Sequence, residues 1–106
     1  MWNKAVNLYE IVLGITNNLS HKDQFSLGEQ LRRASLSISA NIAEGSGRKG
    51  VSESKHFFNI EKGSTYEVVS LIFVTKRRKI IKEGQFQSIY KQLDEIAKML
   101  TGLINK

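Results

Sequence analysis

Seven polar side chains recur at helical spacing in two segments of the chain. The first set lies one to two turns apart between Gln30 and Gly45 and comprises Arg33, Ser37, Asn41 and Glu44. The second set follows at intervals of three residues and comprises Glu61, Ser64 and Glu67. Carboxylates beside an arginine can perform acid–base catalysis. The same groups can instead fix helix register and a contact between copies of the chain through satisfied polar pairs. We favour the structural role and predict no catalytic residue, because an enzyme would also need a pocket.

Metal chemistry has little support in the sequence. Di-metal helical bundles use a Glu-x-x-His pair on each of two helices. Glu53 precedes His56 at this spacing, but His21, the other histidine, falls in a predicted connection. The chain has no cysteine, which excludes disulfides and thiolate sites. We therefore expect neither a metal nor a cofactor.

Basic residues form two groups in a chain of net charge +6. The larger group comprises Lys76, Arg77, Arg78, Lys79 and Lys82. The smaller group comprises Arg48, Lys49 and Lys55. Cations at the end of a helix also interact favourably with its dipole, and this is the alternative explanation for the presence of the larger group. Repeated in an assembly of several copies, both groups would attract nucleic-acid phosphates by counterion release.

Composition and length indicate a single globular domain over residues 1–106. Hydrophobic residues make up 41% and charged residues 25% of the chain. No apolar run approaches the roughly 18 residues that a membrane span needs, and the N-terminus lacks a signal-peptide pattern. A cytoplasmic location is the resulting expectation.

Hydrophobic periodicity predicts four helices, over residues 3–18, 27–45, 53–82 and 85–105. Ser26 and Glu29 form a capping-box pattern for the second helix, Ser52 is a candidate N-cap for the third, and Gly84 marks the break after it. The clearest heptad belongs to the fourth helix and comprises Phe86, Ile89, Leu93, Ile96, Leu100 and Leu103. Short connections between amphipathic helices predict an all-α, antiparallel up-and-down four-helix bundle.

The second and third helices each carry two apolar stripes. In the third helix, one stripe comprises Phe57, Ile60, Ser64, Val68, Leu71 and Thr75, and a flanking one comprises Phe58, Val69, Ile72, Phe73 and Ile80. In the second helix, Leu31, Ala34, Ile38 and Ile42 share one face. Leu36, Ala40 and Ala43 lie nearly opposite this face. A helix with two apolar faces needs two partners, so we expect these three residues to contact a second copy of the chain.

Several motifs in the chain resemble one known family. They are Gln30-Leu31-Arg32-Arg33-Ala34, Ser37-Ile38 and Asn41 to Gly45, then Gly47-Arg48, then Phe57, Glu61, Gly63-Ser64 and Glu67, and finally Met99-Leu100 and Gly102-Leu103-Ile104. Together they resemble the four-helix-bundle proteins encoded in 23S rRNA intervening sequences, also labelled S23 ribosomal proteins. A related protein, the accessory variability protein of diversity-generating retroelements, forms a ring-shaped pentamer with a basic surface and works with reverse transcriptase and RNA. The resemblance implies a non-enzymatic homo-oligomer, a pentamer, with affinity for nucleic acid.

Two features depart from the family pattern. An aromatic-Pro pair that often separates the first two helices is missing, and the basic run from Lys76 to Lys79 interrupts a usually less charged stretch.

We therefore predict a non-catalytic bundle that associates with itself and binds RNA or DNA without sequence preference, away from any membrane. One alternative is a protein-interaction module that docks a polymerase or a ribosomal partner through an apolar groove. Another is a small helical enzyme that binds an anionic metabolite through Arg32, Arg33 and Glu61. The enzyme alternative requires a concave pocket lined by carboxylates with shifted pKa values.

Overall fold

The computed structural model describes residues 2–48 and 50–105. Over these ranges the chain forms helices joined by short connections, with no strand. They are α1 (Trp2–Asn17), α2 (in three consecutive parts, His21–Asp23, Gln24–Gly28 and Glu29–Ser46), α3 (Val51–Arg77) and α4 (Glu83–Ile104). The predicted all-α, antiparallel up-and-down four-helix bundle is confirmed. No helix in this part of the chain is both long enough and apolar enough to cross a bilayer.

The core is built from the heptad faces of all four helices. It contains Ala5, Leu8 and Val12 from α1, Leu31, Ala34, Ile38 and Ile42 from α2, and Phe86, Ile89, Leu93, Ile96 and Leu100 from α4. Leu103, the last member of the predicted α4 heptad, is half-buried against this core. The spacing of apolar residues therefore identified the buried faces of α2 and α4 correctly.

The predicted start of α2 is wrong. Ser20 is the N-cap: its hydroxyl accepts from the Asp23 amide at 3.3 Å and donates to the Asp23 carboxylate at 3.1 Å. Ser26, predicted as the cap, lies inside the helix, and its hydroxyl donates to the carbonyl of Lys22. Ser20 and Asp23 are a polar pair with the same three-residue spacing, six residues before Ser26. They offer a similar cap, so the helix begins directly after Ser20.

A π-helical segment, Gln24–Gly28, follows the first turn of α2. Its signature is the amide of Glu29, which donates to the carbonyl of Gln24 five residues earlier. The Gln24 side-chain amide donates to the carbonyls of Thr16 and Leu19 at the end of α1. Arg32 donates to both the side-chain and the main-chain oxygen of Gln24, at 2.9 and 3.1 Å. These bonds anchor the widened turn to α1.

The buried face of α3 differs from the main predicted stripe. It comprises Phe58, Glu61, Thr65, Val68, Ile72 and Thr75. Of the residues predicted in the two stripes, Ile60 and Phe73 are exposed. Glu61 and Thr65 are polar residues at core positions, so hydrophobicity pointed to their apolar neighbours instead.

Both predicted ends of α3 also need correction. The helix begins at Val51 with Gly50 as its N-cap, and Ser52 lies inside the first turn. It ends at Arg77 rather than at residue 82, and Gly84 lies within α4 rather than at the break.

Neighbouring helices pack with unequal closeness. The most extensive contact joins α2 and α3, where Gly45 lies against the ring of Phe58. Contacts between α1 and α4 are sparser. An open groove of about 640 Å³ lies on this side, and Ile11, Gly14, Ile15, Ile81 and Gly84 are among the residues that line it.

The close approach at Gly45 predicts the effect of adding one methyl group there. In Gly45→Ala the new Cβ would lie 2.7 Å from Cε1 of Phe58, so the buried ring must move. We expect the free energy of unfolding in urea to fall by about 1–3 kcal/mol.

The matched control for this substitution is Gly63→Ala, where no atom lies within 4 Å of the added Cβ. In this helix interior, alanine should raise the free energy of unfolding by about 0.5–1 kcal/mol. Equal effects of the two substitutions would contradict the packing described at Gly45.

Candidate functional site

The end of α3 is closed by a lysine in the left-handed conformation. Lys79 has φ 62°, and among the described residues it is the one non-glycine residue with positive φ. The amide of Ile80 donates to the carbonyl of Thr75 at 3.1 Å, and the Lys79 amide donates to the carbonyl of Lys76 at 2.9 Å. This pair of bonds is a Schellman motif, in which the left-handed position is normally glycine. The chain reverses here and carries Ile80 and Ile81 to the core.

The connection after α3 is rich in cations, and we call residues 76–82 the basic turn. Lys76 pairs with Glu83 at 2.9 Å, and Arg78 pairs with Asp23 at 2.8 Å. Hydrogen bonds from Gln87 and from Lys76 lower the pKa of Glu83, so this acid remains ionised beside the turn. Within residues 2–48 and 50–105, no carboxylate lies within ion-pair distance of the other three cations in the turn, which are Arg77, Lys79 and Lys82. All three are exposed.

The pair between Asp23 and Arg78 joins the two connections at this end of the bundle. Both guanidinium nitrogens of Arg78 donate to the carboxylate, at 2.8 and 3.1 Å. Hydrogen bonds from Arg78 lower the pKa of Asp23, so the carboxylate stays charged well below neutral pH. The start of α2 is thereby fixed against the basic turn.

The second predicted basic group lies at the opposite end of the bundle. Arg48 pairs with Glu44 at 2.8 Å, and its guanidinium lies 4.9 Å from the centre of the Phe57 ring. Lys55 is half-buried in α3. Lys49 lies outside the described residues. The antiparallel helices separate these residues from the basic turn by most of the length of α3.

The predicted polar network is assembled only in part. Ser37 and Ser64 hydrogen-bond across the contact between α2 and α3 at 3.0 Å, and the Asn41 amide donates to the hydroxyl and the carbonyl of Ser37. Arg33 instead approaches Glu29 at 4.0 Å on the exposed side of α2. Of the carboxylates, Glu44 pairs with Arg48, and Glu67 is exposed at the edge of a groove that Arg33, Ser37 and Ser64 also line.

Glu61 lies outside this network, in contrast to its predicted place. Its exposed fraction is 0%, and neither carboxylate oxygen has a hydrogen-bond partner. The other buried polar side chains each donate to a carbonyl of their own helix: Thr16, Ser35, Ser39, Thr65 and Thr75. Burial raises the pKa of Glu61 to about 8, so its carboxyl is largely protonated at neutral pH.

The residues of the enzyme alternative do not converge on one pocket. Arg32 is engaged with Gln24, Arg33 faces outward beside Glu29, and Glu61 lies in the core. A shifted carboxyl is present, but no described cavity contains it together with either arginine. Within residues 2–48 and 50–105, no three His, Cys, Asp or Glu side chains lie together as metal ligands would. His21 and His56 lie instead against Phe25 and Phe57, with ring centres 5.0 and 5.5 Å apart.

Three residues on the outer side of α2 form an apolar surface, which we call the outer face: Leu36, Ala40 and Ala43. All three are exposed, and the side chain of Leu36 remains 50% exposed in the single chain. Ile60 of α3 is also exposed. Because the contact between Ser37 and Ser64 sets antiparallel register, Ile60 lies near the level of Asn41 on the neighbouring helix.

Sequence reasoning missed the contact between Asp23 and Arg78, the π-helical segment and the left-handed lysine. The Ser20-x-x-Asp23 spacing was the available signal for the early start of α2. A lysine at a left-handed helix end has no comparable signature, because the sequence preference at that position is for glycine.

The fold and the surfaces described above define a class of protein: a small helical bundle with a basic turn at one end and an apolar outer face. A profile of the family described as 23S rRNA-intervening sequence protein matches residues 1–102. The chain belongs to this family, as its motifs indicated. No curated protein matches the sequence, and the comparisons point to no catalytic family.

A solved structure from Bacteroides thetaiotaomicron has a similar fold. It is described as a protein of unknown function from the S23 ribosomal protein family, and it superimposes with a TM-score of 0.90 at 23% identity. The match covers 99% of this chain and 95% of the other. This similarity supports the four-helix fold.

The buried carboxyl of Glu61 predicts how stability depends on pH. Its pKa in the folded chain, about 8, exceeds its ordinary value of 4.5, so the folded state binds this proton more tightly than the unfolded state. The contribution of Glu61 to stability is therefore largest below pH 4.5 and is lost as the pH rises toward 8. By about pH 7 the loss should be on the order of 3 kcal/mol.

Comparison with Glu61→Gln isolates this contribution, because the neutral amide cannot ionise. Urea denaturation between pH 5 and pH 8 should show a steeper loss of stability in the unchanged protein than in Glu61→Gln. Glu67→Gln, which neutralises an exposed carboxylate two turns away, should behave like the unchanged protein. Parallel pH profiles for all three proteins would contradict the burial of an unpartnered carboxyl.

Proposed function

We propose that this protein is a non-catalytic helical bundle that associates with copies of itself and binds RNA or DNA without sequence preference. The basic turn is the contact with nucleic-acid phosphates. The outer face is the contact between copies.

The left-handed lysine in the basic turn carries the proposal for nucleic acid. Glycine at this position would avoid the steric cost of positive φ, which for other residues is about 1–2 kcal/mol. The chain instead holds an exposed lysine there, between Arg77 and Lys82. Sparsely populated backbone conformations cluster at functional sites, and here such a conformation holds an exposed cation.

The charge of the surroundings supports the same conclusion. Lys76 and Arg78 are neutralised by Glu83 and Asp23, and both pairs help to hold the turn in place. Arg77, Lys79 and Lys82 supply positive charge to solvent on this fixed turn. Phosphate groups that contact these side chains would release counterions, the main source of non-specific affinity for nucleic acid.

Self-association rests on the apolar outer face. Leu36, Ala40 and Ala43 are exposed on a helix whose opposite face is buried in the core. A second copy covering this face would remove apolar surface from water and would repeat the basic turn within one assembly. The separation of Arg32, Arg33 and Glu61 favours a non-catalytic role over the enzyme alternative.

Two substitutions at Lys79 separate its charge from its conformation. Lys79→Gln should weaken binding to RNA and reduce the slope of log affinity against log salt by about 1, with little change in stability. Lys79→Gly should weaken binding equally but raise the free energy of unfolding by about 1 kcal/mol, because glycine relieves the left-handed strain. Fluorescence anisotropy with labelled RNA and urea denaturation measure the two effects.

The control for charge is Lys91→Gln, which removes an exposed lysine from the middle of α4. Its affinity should stay close to that of the unchanged protein. Absence of RNA binding by the unchanged protein at low salt would refute the nucleic-acid part of the proposal.

The outer face is tested by a charge in place of its largest side chain. Leu36→Glu should reduce the mass in light scattering from several chains toward the single-chain value of 12.0 kDa, because an interface would bury the new carboxylate. Val51→Glu is the control: Val51 is 68% exposed at the first turn of α3, where a carboxylate is favourable. A single-chain mass for the unchanged protein at micromolar concentration would exclude self-association.

A further inference from the structure

A strip of aromatic side chains runs along the surface between α3 and α4. The ring of Phe73 meets the ring of Phe86 edge to face at 5.8 Å, and the ring of Phe86 lies 5.9 Å from that of Tyr90. Tyr90 and Tyr66 line the same small cavity between the two helices. Three of these rings are strongly exposed, those of Tyr66, Phe73 and Tyr90. We call this surface the aromatic strip.

The aromatic strip leads directly to the basic turn. The ammonium group of Lys76 lies 4.4 Å from the ring centre of Phe86 and 5.3 Å from that of Phe73. Arg77 follows in the last turn of α3 and is exposed. One end of the strip is therefore bordered by the cations proposed above to contact phosphates.

Two further lysines lie beyond the other end of the strip. Lys62 is one turn before Tyr66, and Lys55 is two turns before Lys62, so both lie on the side of α3 that carries Tyr66 and Phe73. Two carboxylates lie near the strip, and both are paired: Glu83 at the basic turn with Lys76, and Asp94, which lines the cavity beside Tyr66 and Tyr90, with Lys98. The surface thus alternates from cations to aromatic rings and back to cations.

We propose that this surface binds single-stranded nucleic acid, with unpaired bases stacked on Tyr66, Phe73 and Tyr90. Phosphates are bound by the exposed cations of the basic turn at one end and by Lys55 and Lys62 at the other. The proposal rests on the proposed function and names its substrate class. A duplex hides its base faces, whereas every unpaired base offers a π-face to an exposed ring. Cationic and aromatic side chains in one groove are the usual combination for single strands.

The length of the surface sets the size of the bound strand. From Lys55 to Lys76, α3 rises about 31 Å at roughly 1.5 Å per residue. A stacked strand rises roughly 3.4 Å per nucleotide, so at most about nine nucleotides cover this distance, and an extended strand needs fewer. Affinity should therefore rise with strand length up to about this value and level off beyond it.

The test is fluorescence anisotropy with a labelled single strand of about ten thymidines and with a duplex of the same length. Tyr66→Leu should weaken binding of the single strand roughly tenfold, the effect of losing one base stack, and should leave duplex binding unchanged. Tyr66→Trp should restore single-strand affinity. Trp2→Leu, which removes an exposed aromatic ring from α1, should have no effect. Thermal unfolding confirms that the variants remain folded.

The outcomes separate this inference from the proposed function. If Tyr66→Leu binds the single strand as tightly as the unchanged protein does, while Lys79→Gln still weakens binding, base stacking on the strip is refuted. The proposed phosphate contact then still stands. No binding of either nucleic acid by the unchanged protein removes the proposed function and the inference together. A lower assembly mass in Tyr66→Leu would show that a second copy covers the strip, which also overturns the inference.

Discussion

The left-handed turn at Lys79 determines the arrangement of one whole end of the bundle. It stops α3 at a fixed residue, and the Schellman bonds that close the helix direct Ile80 and Ile81 into the core. Once those side chains are buried, the start of α4 and the register of its heptad follow. The same reversal brings Arg78 against Asp23 and so ties the start of α2 to the end of α3. One residue with positive φ thus links the ends of three helices.

At two positions in this small fold, the residue present stabilises the structure less than another residue type would. At Lys79 a cation occupies a position that glycine would fill with less strain. At Glu61 a carboxyl lies in the core without a partner, where an apolar residue would pack at no electrostatic cost. The phosphate contact proposed for the basic turn would account for the first. The packing around Glu61 offers no comparable explanation, because neither carboxylate oxygen is hydrogen-bonded.

The sequence predicted the architecture well, because the repeating apolar residues of α2 and α4 are residues that the core buries. It failed where a polar residue occupies a core position, as with Glu61 and Thr65, since a hydrophobic pattern then points to the wrong face. It also failed at the helix ends, where Ser20 and Lys79 depend on local hydrogen bonds rather than on periodicity. The sequence identified the basic residues. Which of them are paired with carboxylates and which are exposed depends on contacts between helices, so only the structure shows it. The aromatic strip joins residues of two helices, so no single segment predicts it.

The unequal packing of the helices has a consequence for local unfolding. α1 lies along α2 but makes few contacts with α4, where the groove lined by Ile11 and Gly14 remains open. Most of what holds α1 in place is therefore its contact with one neighbour, supplemented by the ion pair between Lys4 and Glu95. Segments with fewer buried contacts open at lower free energy than the rest of a domain. α4 likewise packs mainly against one neighbour, α3, so the amide hydrogens of α1 and α4 should exchange before those of α2 and α3, whose mutual contact is the most extensive in the bundle.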